Sequence, residues 1–248
     1  SISSACHMDK NGQLILVRLV HDLCTISVDS SGAPLYKRGY RQEVSKAPLR
    51  ETLAAAMLLA SGWDRKSPLI DPFCGSGTIP VEAALLAGNI PPGIGRNFAF
   101  TQWPVFKPDL WISLLQLARQ AILQPQVYIY GFDRDNGAIR MAVANASRAG
   151  QKDRIQFHQQ SISELRPAQA PGWLVTNPPY GVRLSPNKDL RDLYARFGTV
   201  LRDHFQGWRV GILCNDPRLI GNLGLLQPLS TEHWINGGVP VKFICYSL

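Results

Sequence analysis

Asp71-Pro72-Phe73-Cys74-Gly75-Ser76-Gly77-Thr78 lies between a short apolar strand and a helix rich in Ala and Leu. Two glycines at that junction let the backbone approach a ligand, and the first turn of the following helix offers amide donors without helical partners. The stretch is not a P-loop, because Gly-Lys-Ser/Thr is absent. It is also a poor dinucleotide fingerprint, because Pro80 stands where a third glycine would complete a pyrophosphate site. What remains is a nucleoside without phosphates. Asp71 narrows this further: a carboxylate there would repel a pyrophosphate but suits the cationic methionine end of S-adenosylmethionine. The residues expected to line the site are Asp71, Pro72, Phe73, Cys74, Gly75, Gly77 and Thr78.

Outward from this turn, apolar runs at 69–71, 127–132, 154–158, 172–176 and 208–214 alternate with helical stretches at 78–88, 109–123, 135–149 and 188–205. Such alternation predicts an α/β domain with a mainly parallel sheet covered by helices on both faces. A further helix is expected from Pro48 to Gly62, with Leu49, Leu53, Met57 and Ala60 at helical spacing. At the other end, Asn236-Gly237-Gly238 before Val239 to Ser247 is hairpin chemistry, so the last strand should insert antiparallel. The strand 127–132 ends at Asp133, whose carboxylate at a strand end can accept hydrogen bonds from two ribose hydroxyls. Arg134 is placed beside it in the cofactor set. The competing role for Asp133, or for Asp135, is a helix cap. Asp71 and Asp133 are much farther apart than the roughly 20 residues of a simple βαβ unit, so an insert is expected from Asn89 to about Gln126.

Asn177-Pro178-Pro179-Tyr180 follows the apolar strand 172–176, which puts it at a C-terminal strand end beside the same crevice. An exocyclic amine is a weak nucleophile because its lone pair is delocalised into the ring. Two acceptors, the Asn177 side-chain oxygen and the Pro178 carbonyl, would favour a pyramidal nitrogen with its lone pair aimed at a sulfonium methyl. Pro178 and Pro179 stiffen the loop, and Tyr180 offers a flat face for a base withdrawn from its stack. Taken alone the tetrapeptide could be a rigid turn. Its order after the glycine turn and the strand-end Asp133 makes it a catalytic candidate. Methylation at a ring carbon would require a nucleophilic cysteine, whereas Cys74 reads as a small residue filling the turn.

Composition fits a nucleic-acid partner. The 248 residues carry 26 Lys and Arg against 18 Asp and Glu, a formal charge of +8 that attracts polyanions. Lys37, Arg38, Arg41, Lys46 and Arg50 cluster in one segment, either as a solvated linker or as a phosphate-contacting strip. Five scattered cysteines without a Cys-x-x-Cys pair argue against a disulfide framework and against a zinc site, and fit a reducing cytoplasm. No metal is expected, since the five histidines lack ligand spacing. No apolar run approaches the roughly 20 residues needed to span a bilayer, so no membrane partner is expected. Leu14 to Val20 and Leu23 to Asp29 predict a β-hairpin too small to hold a core of its own.

At these residues the chain resembles the amino-methylating branch of class I methyltransferases, and more closely the THUMP-linked RNA guanine methylases. The match is carried by Leu35-Tyr36-Lys37-Arg38-Gly39-Tyr40-Arg41, by Ala47-Pro48-Leu49-Arg50-Glu51-Thr52-Leu53-Ala54, by the Asp71 motif running through Pro92-Gly93-Ile94-Gly95-Arg96 to Trp103, and by Trp234-Ile235-Asn236-Gly237. The resemblance implies a Rossmann-like class I fold with a seven-stranded sheet and an antiparallel last strand. It further implies S-adenosylmethionine as cofactor and the exocyclic amine of guanine in ribosomal or transfer RNA as target. Residues 1–46 would be the tail of a THUMP-like RNA-binding module with its connector, and 47–248 the methyltransferase domain. After the third strand the family has an Asp near the adenine where this chain has Gln159-Gln160-Ser161, and Ser161 is the replacement candidate. Tyr180, Arg183 and Arg96 are the substrate-binding candidates, Arg96 within an insert that mixes aromatic and basic residues. The rival activities are a DNA adenine methylase and a catalytically idle RNA-binding factor.

Overall fold

The computed structural model describes residues 13–42, 49–167, 171–180 and 190–248. Two strands, β1 (Ile15–Val20) and β2 (Leu23–Val28), form the expected antiparallel hairpin. His21 and Asp22 turn it with φ of 47° and 59°, the left-handed pair that matches the twist of a two-residue hairpin. Next come α1 (Glu51–Ala60), β3 (Leu69–Asp71), α2 (Thr78–Ala87), α3 (Pro108–Gln120), β4 (Ile129–Asp133) and α4 (Asn136–Arg148). The chain then runs through β5 (Ile155–Gln159), β6 (Trp173–Thr176), α5 (Leu190–His204), β7 (Arg209–Cys214), α6 (Pro217–Gly221), β8 (Ser230–Asn236) and β9 (Val239–Ser247). Gly62, at φ 70°, terminates the first helix as the sequence predicts, although the helix begins at Glu51, and Pro48 lies outside the described residues.

The main sheet has seven strands in the order β5-β4-β3-β6-β7-β9-β8. The pairings from β5 to β7 are parallel, and β9 runs antiparallel to both of its neighbours. β8 supplies the hairpin partner that the Asn236-Gly237-Gly238 turn calls for, although its range was not legible in the sequence, and β9 is as expected. Ser230–Asn236 is largely exposed at the sheet edge and carries no apolar run.

Strand order reverses between β3 and β6, which is where open α/β sheets place their ligand crevice. Their ladder pairs Leu69 with Trp173 and Ile70 with Leu174 and then stops, so the strand ends part at Asp71 and Thr176. Beneath this opening the core is continuous: Leu69, Ile70, Ile129, Leu174, Val175, Ile212 and Phe243 are buried. Each such side chain contributes about 1.5–3 kcal/mol. The helix expected over 188–205 buries Tyr194, Phe197, Val200 and Leu201 on α5, with Phe205 just beyond it.

The basic connector is not a phosphate strip at two of its positions. Arg38 Nε lies 2.9 Å from Glu82 on α2, and Arg41 Nη2 lies 3.1 Å from Glu51 on α1, with all four side chains largely buried. Desolvation offsets most of the attraction in such pairs, so their role is registration of the segment, while losing one partner would cost about 3–5 kcal/mol. Lys46 lies outside the described residues.

Candidate active site

β3 delivers Asp71 to the crevice, and the turn after it is wound by Gly75 and Gly77 at φ of 52° and 81°. At Gly75 a Cβ would meet open space, a cradle for a ligand. At Gly77 a Cβ would come within 2.9 Å of Ala142 on α4, so the turn is pressed against that helix. Asp71 is 1% exposed, and its Oδ1 accepts from Thr176 Oγ1 at 2.6 Å and from the Phe73 amide at 3.2 Å. Burial pushes its carboxyl up to about 7 against those two donors, with Asp133 adding in the same direction. A nearby cation would be stabilised by this carboxylate. Thr176 immediately precedes Asn177, so this one bond pins the glycine turn to the Asn-Pro-Pro-Tyr loop across the gap where the ladder ends.

Asp133 ends β4 as predicted and is not the helix cap; that role falls to Asp135, which accepts from Gly137 N at 2.7 Å. Asp133 Oδ2 instead accepts from Gly75 N at 3.0 Å and Oδ1 from Asp135 N at 3.0 Å. A carboxylate has about four acceptor positions, so lone pairs remain for a ribose. Arg134 is exposed beside it, and its carbonyl accepts from Gln159 Nε2 at 3.2 Å. Ser161 already has a local role: its hydroxyl and Glu164 form a capping box at the end of β5. Cys74 is buried against Gly131, and burial, with Asp71 and Asp133, pushes its thiol well up, which disfavours a thiolate nucleophile. Phe73 packs edge-on to Phe197, 5.2 Å between centroids.

On the catalytic loop, Asn177 Oδ1 is shielded from solvent and, among the described residues, has no hydrogen-bond donor. A buried acceptor without a donor costs about 1–3 kcal/mol, which a substrate N–H would recover. Pro178 is buried, and the Pro179 carbonyl accepts from Tyr194 Oη at 3.3 Å. Tyr180 is 3% exposed, and its Oη accepts from Asn236 Nδ2 at 3.2 Å. The ring is therefore part of the loop's packing in this structure, and the open face expected from sequence is covered. Thr176, Tyr194 and Asn236 were missed as site residues. Asn236 sits in the stretch of the resemblance but reads as turn chemistry, and Tyr194 reads as core.

Arg183 lies outside the described residues. Arg96 is brought elsewhere than predicted: its guanidinium donates to the carbonyls of Ser31, Ala33 and Pro34 and stacks on Phe98 at 4.9 Å. Those bonds fasten the insert to the segment after β2. The insert's Phe98, Phe100, Phe106 and Trp111 pack on one another edge-on or tilted.

A reversed strand order, a glycine turn open at Gly75, a strand-end acid and an Asn oxygen with no donor among the described residues together define a class I methyltransferase. The residues fit S-adenosylmethionine: an acid for its cation, an acid for its ribose and a small-residue turn against its backbone-facing side. Residues 38–225 match the family described as RMKL-like, methyltransferase domain, and the chain belongs to it. A Synechocystis protein named as an RNA methyltransferase is 36% identical over 99% of this chain and 64% of its own length. The ribosomal RNA large subunit methyltransferase K/L of Syntrophotalea carbinolica is 42% identical over 82% of this chain and 30% of its own. The chain thus spans less than two thirds of either relative. SMU.472, described as a methyltransferase and solved with S-adenosylhomocysteine, superposes with a TM-score of 0.88 at 33% identity, covering 95% of this chain and 61% of that one. A Listeria monocytogenes structure described as an N6-adenine-specific DNA methylase superposes at 0.85 with 34% identity over 94% and 60%. No helix among the described residues is long and apolar enough to cross a membrane.

Proposed function

We propose that the chain transfers a methyl group from S-adenosylmethionine to the exocyclic amine of a guanine in ribosomal or transfer RNA. The observation that carries this is the buried Asn177 Oδ1, which has no donor among the described residues and lies just beyond β6, pinned through Thr176 to the cofactor turn. An amide oxygen cannot take up a proton at neutral pH, but it can accept a hydrogen bond from the amine and, with the Pro178 carbonyl, orient the lone pair. S-adenosylmethionine supplies the electrophilic methyl on a cationic sulfur. Asp133 holds the ribose, Asp71 favours the cation, and Tyr194 and Asn236 keep the loop rigid from behind. Gly75 and Gly77 let the turn close on the nucleoside, with Pro72, Phe73, Cys74 and Thr78 around it. Arg134 and Ser161 border the ribose and the adenine.

RNA is favoured over DNA by the name of the K/L relative and by the charge of +8. Residues 1–46 belong to the tail and connector of a THUMP-like RNA-binding module, and 47–248 to the catalytic domain. The apolar residues of β1 and β2 are exposed, as they would be on a piece of sheet whose covering layer lies in that module.

Incubation with radiolabelled S-adenosylmethionine and separate pools of unmodified ribosomal RNA, transfer RNA and DNA tests the assignment. Labelled methylguanosine in an RNA pool is expected; labelled methyladenine in DNA would replace it with the rival activity. In the same assay Asn177→Ala should lower kcat by about 10²–10³, as for loss of a transition-state acceptor, with the Kd for S-adenosylhomocysteine changed by less than about threefold. Equal losses in both would remove Asn177 from the chemistry.

A further inference from the structure

Asn145 sits at 0% exposure on α4, between Ala142 and Ala146 on the buried face of that helix. An Asn in such a stripe is costly unless its amide is bonded. Its Nδ2 donates to the carbonyl of Ser76, at 2.9 Å, between the two glycines of the cofactor turn. Its Oδ1 accepts from Arg148 Nη2 at 2.5 Å, and Arg148 Nε donates to the backbone carbonyl of Tyr40 at 2.8 Å. Tyr40 in turn donates its hydroxyl to Glu82 Oε1 at 2.9 Å, which Arg38 approaches at the same distance. Glu82 lies on α2, the helix that grows directly out of the cofactor turn. The bonds therefore close a ring: from the turn through α4 to the connector, and from the connector through Glu82 back to the turn.

We propose that Asn145 and Arg148 are positioning residues for the methyl-donor site, fixing the Ser76–Gly77 peptide, and that Tyr40 of the connector is the clasp that closes this ring. The inference rests on the assignment of the glycine turn as the methyl-donor site. Ala142 and Phe157 crowd Gly77 sterically, and Asn145 supplies a directional bond to the turn that sterics alone cannot. The connector thereby acts on cofactor affinity without meeting the cofactor.

The test titrates the 248-residue protein with S-adenosylhomocysteine by calorimetry and measures kcat at saturating S-adenosylmethionine. Asn145→Ala should raise Kd about five- to tenfold, the loss of one buried hydrogen bond, with kcat at saturation unchanged. Arg148→Lys is the gentler variant, since one ammonium cannot span the two acceptors that the planar guanidinium bridges, and it should raise Kd less. Tyr40→Phe should raise Kd about twofold alone and not at all in the Asn145→Ala background, the non-additivity of groups in one network. Asp133→Ala reports on the site itself, and Val241→Ala, buried on β9, is a control for loss of stability. Unmoved Kd in Asn145→Ala and Arg148→Lys, with Asp133→Ala still weakening binding, would overturn the positioning role and leave the site assignment standing. If Asp133→Ala is also inert, the site assignment fails and the inference with it. A Kd raised as much by Val241→Ala would show general loosening instead, and would equally overturn it.

Discussion

β3 and the β1–β2 hairpin are both short and apolar, yet all three residues of β3 are buried and all twelve of the hairpin are exposed. Cross-strand register puts Ile15, Val17, Leu19, Cys24, Ile26 and Val28 on one face of the hairpin, wholly apolar and uncovered. β3 has a strand on each side and α2 packed on it. Apolar pattern thus specifies a strand, whereas burial depends on what the rest of the chain brings to it. The same contrast separates α2, of which eight residues are buried, from α3, of which none is.

Chemical denaturation can break that comparison. Leu174→Ala, at a position with 0% exposure, should cost about 2–5 kcal/mol through lost burial and a residual cavity. A smaller effect comes from the buried acid at the crevice. Because folding raises the Asp71 carboxyl from 3.8 to about 7, its contribution to stability is present below its unfolded value and is lost as pH rises through about 7. The Tm of Asp71→Asn should therefore fall less than that of the parent between pH 5 and 8, by about 5–10 °C. Glu82, also raised to about 7 by burial, keeps some slope in both proteins; parallel profiles would show that Asp71 is ionised throughout. The smallest change is expected at Val17, 66% exposed, where Val17→Ala should stay within about 0.5 kcal/mol. A loss as large as that of Leu174→Ala would mean that the hairpin face is covered in solution.

Fold class, sheet direction, the hairpins and the three site motifs were legible because each is local: a period, a turn residue, a strand end. Asp133 and Asn177 stand where strand-end logic puts them. The surroundings of Arg38, Arg41 and Arg96 were not legible, because a sequence displays their charge but not their partners. Glu82, Glu51 and three backbone carbonyls are brought to them only by tertiary packing. Thr176, Asn145 and Tyr194 escaped notice for the same reason, since each acts through a residue far away in sequence.

The bond from Thr176 to Asp71 works as a hinge pin shared by two loops that belong to different halves of the sheet. Anyone re-targeting the amine-holding loop by grafting another tetrapeptide after β6 inherits that pin. A graft that keeps Asn177 but replaces Thr176 would leave the Asp71 carboxylate short of a donor and let the two loops drift apart, so the smallest transferable unit is five residues, Thr176 through Tyr180.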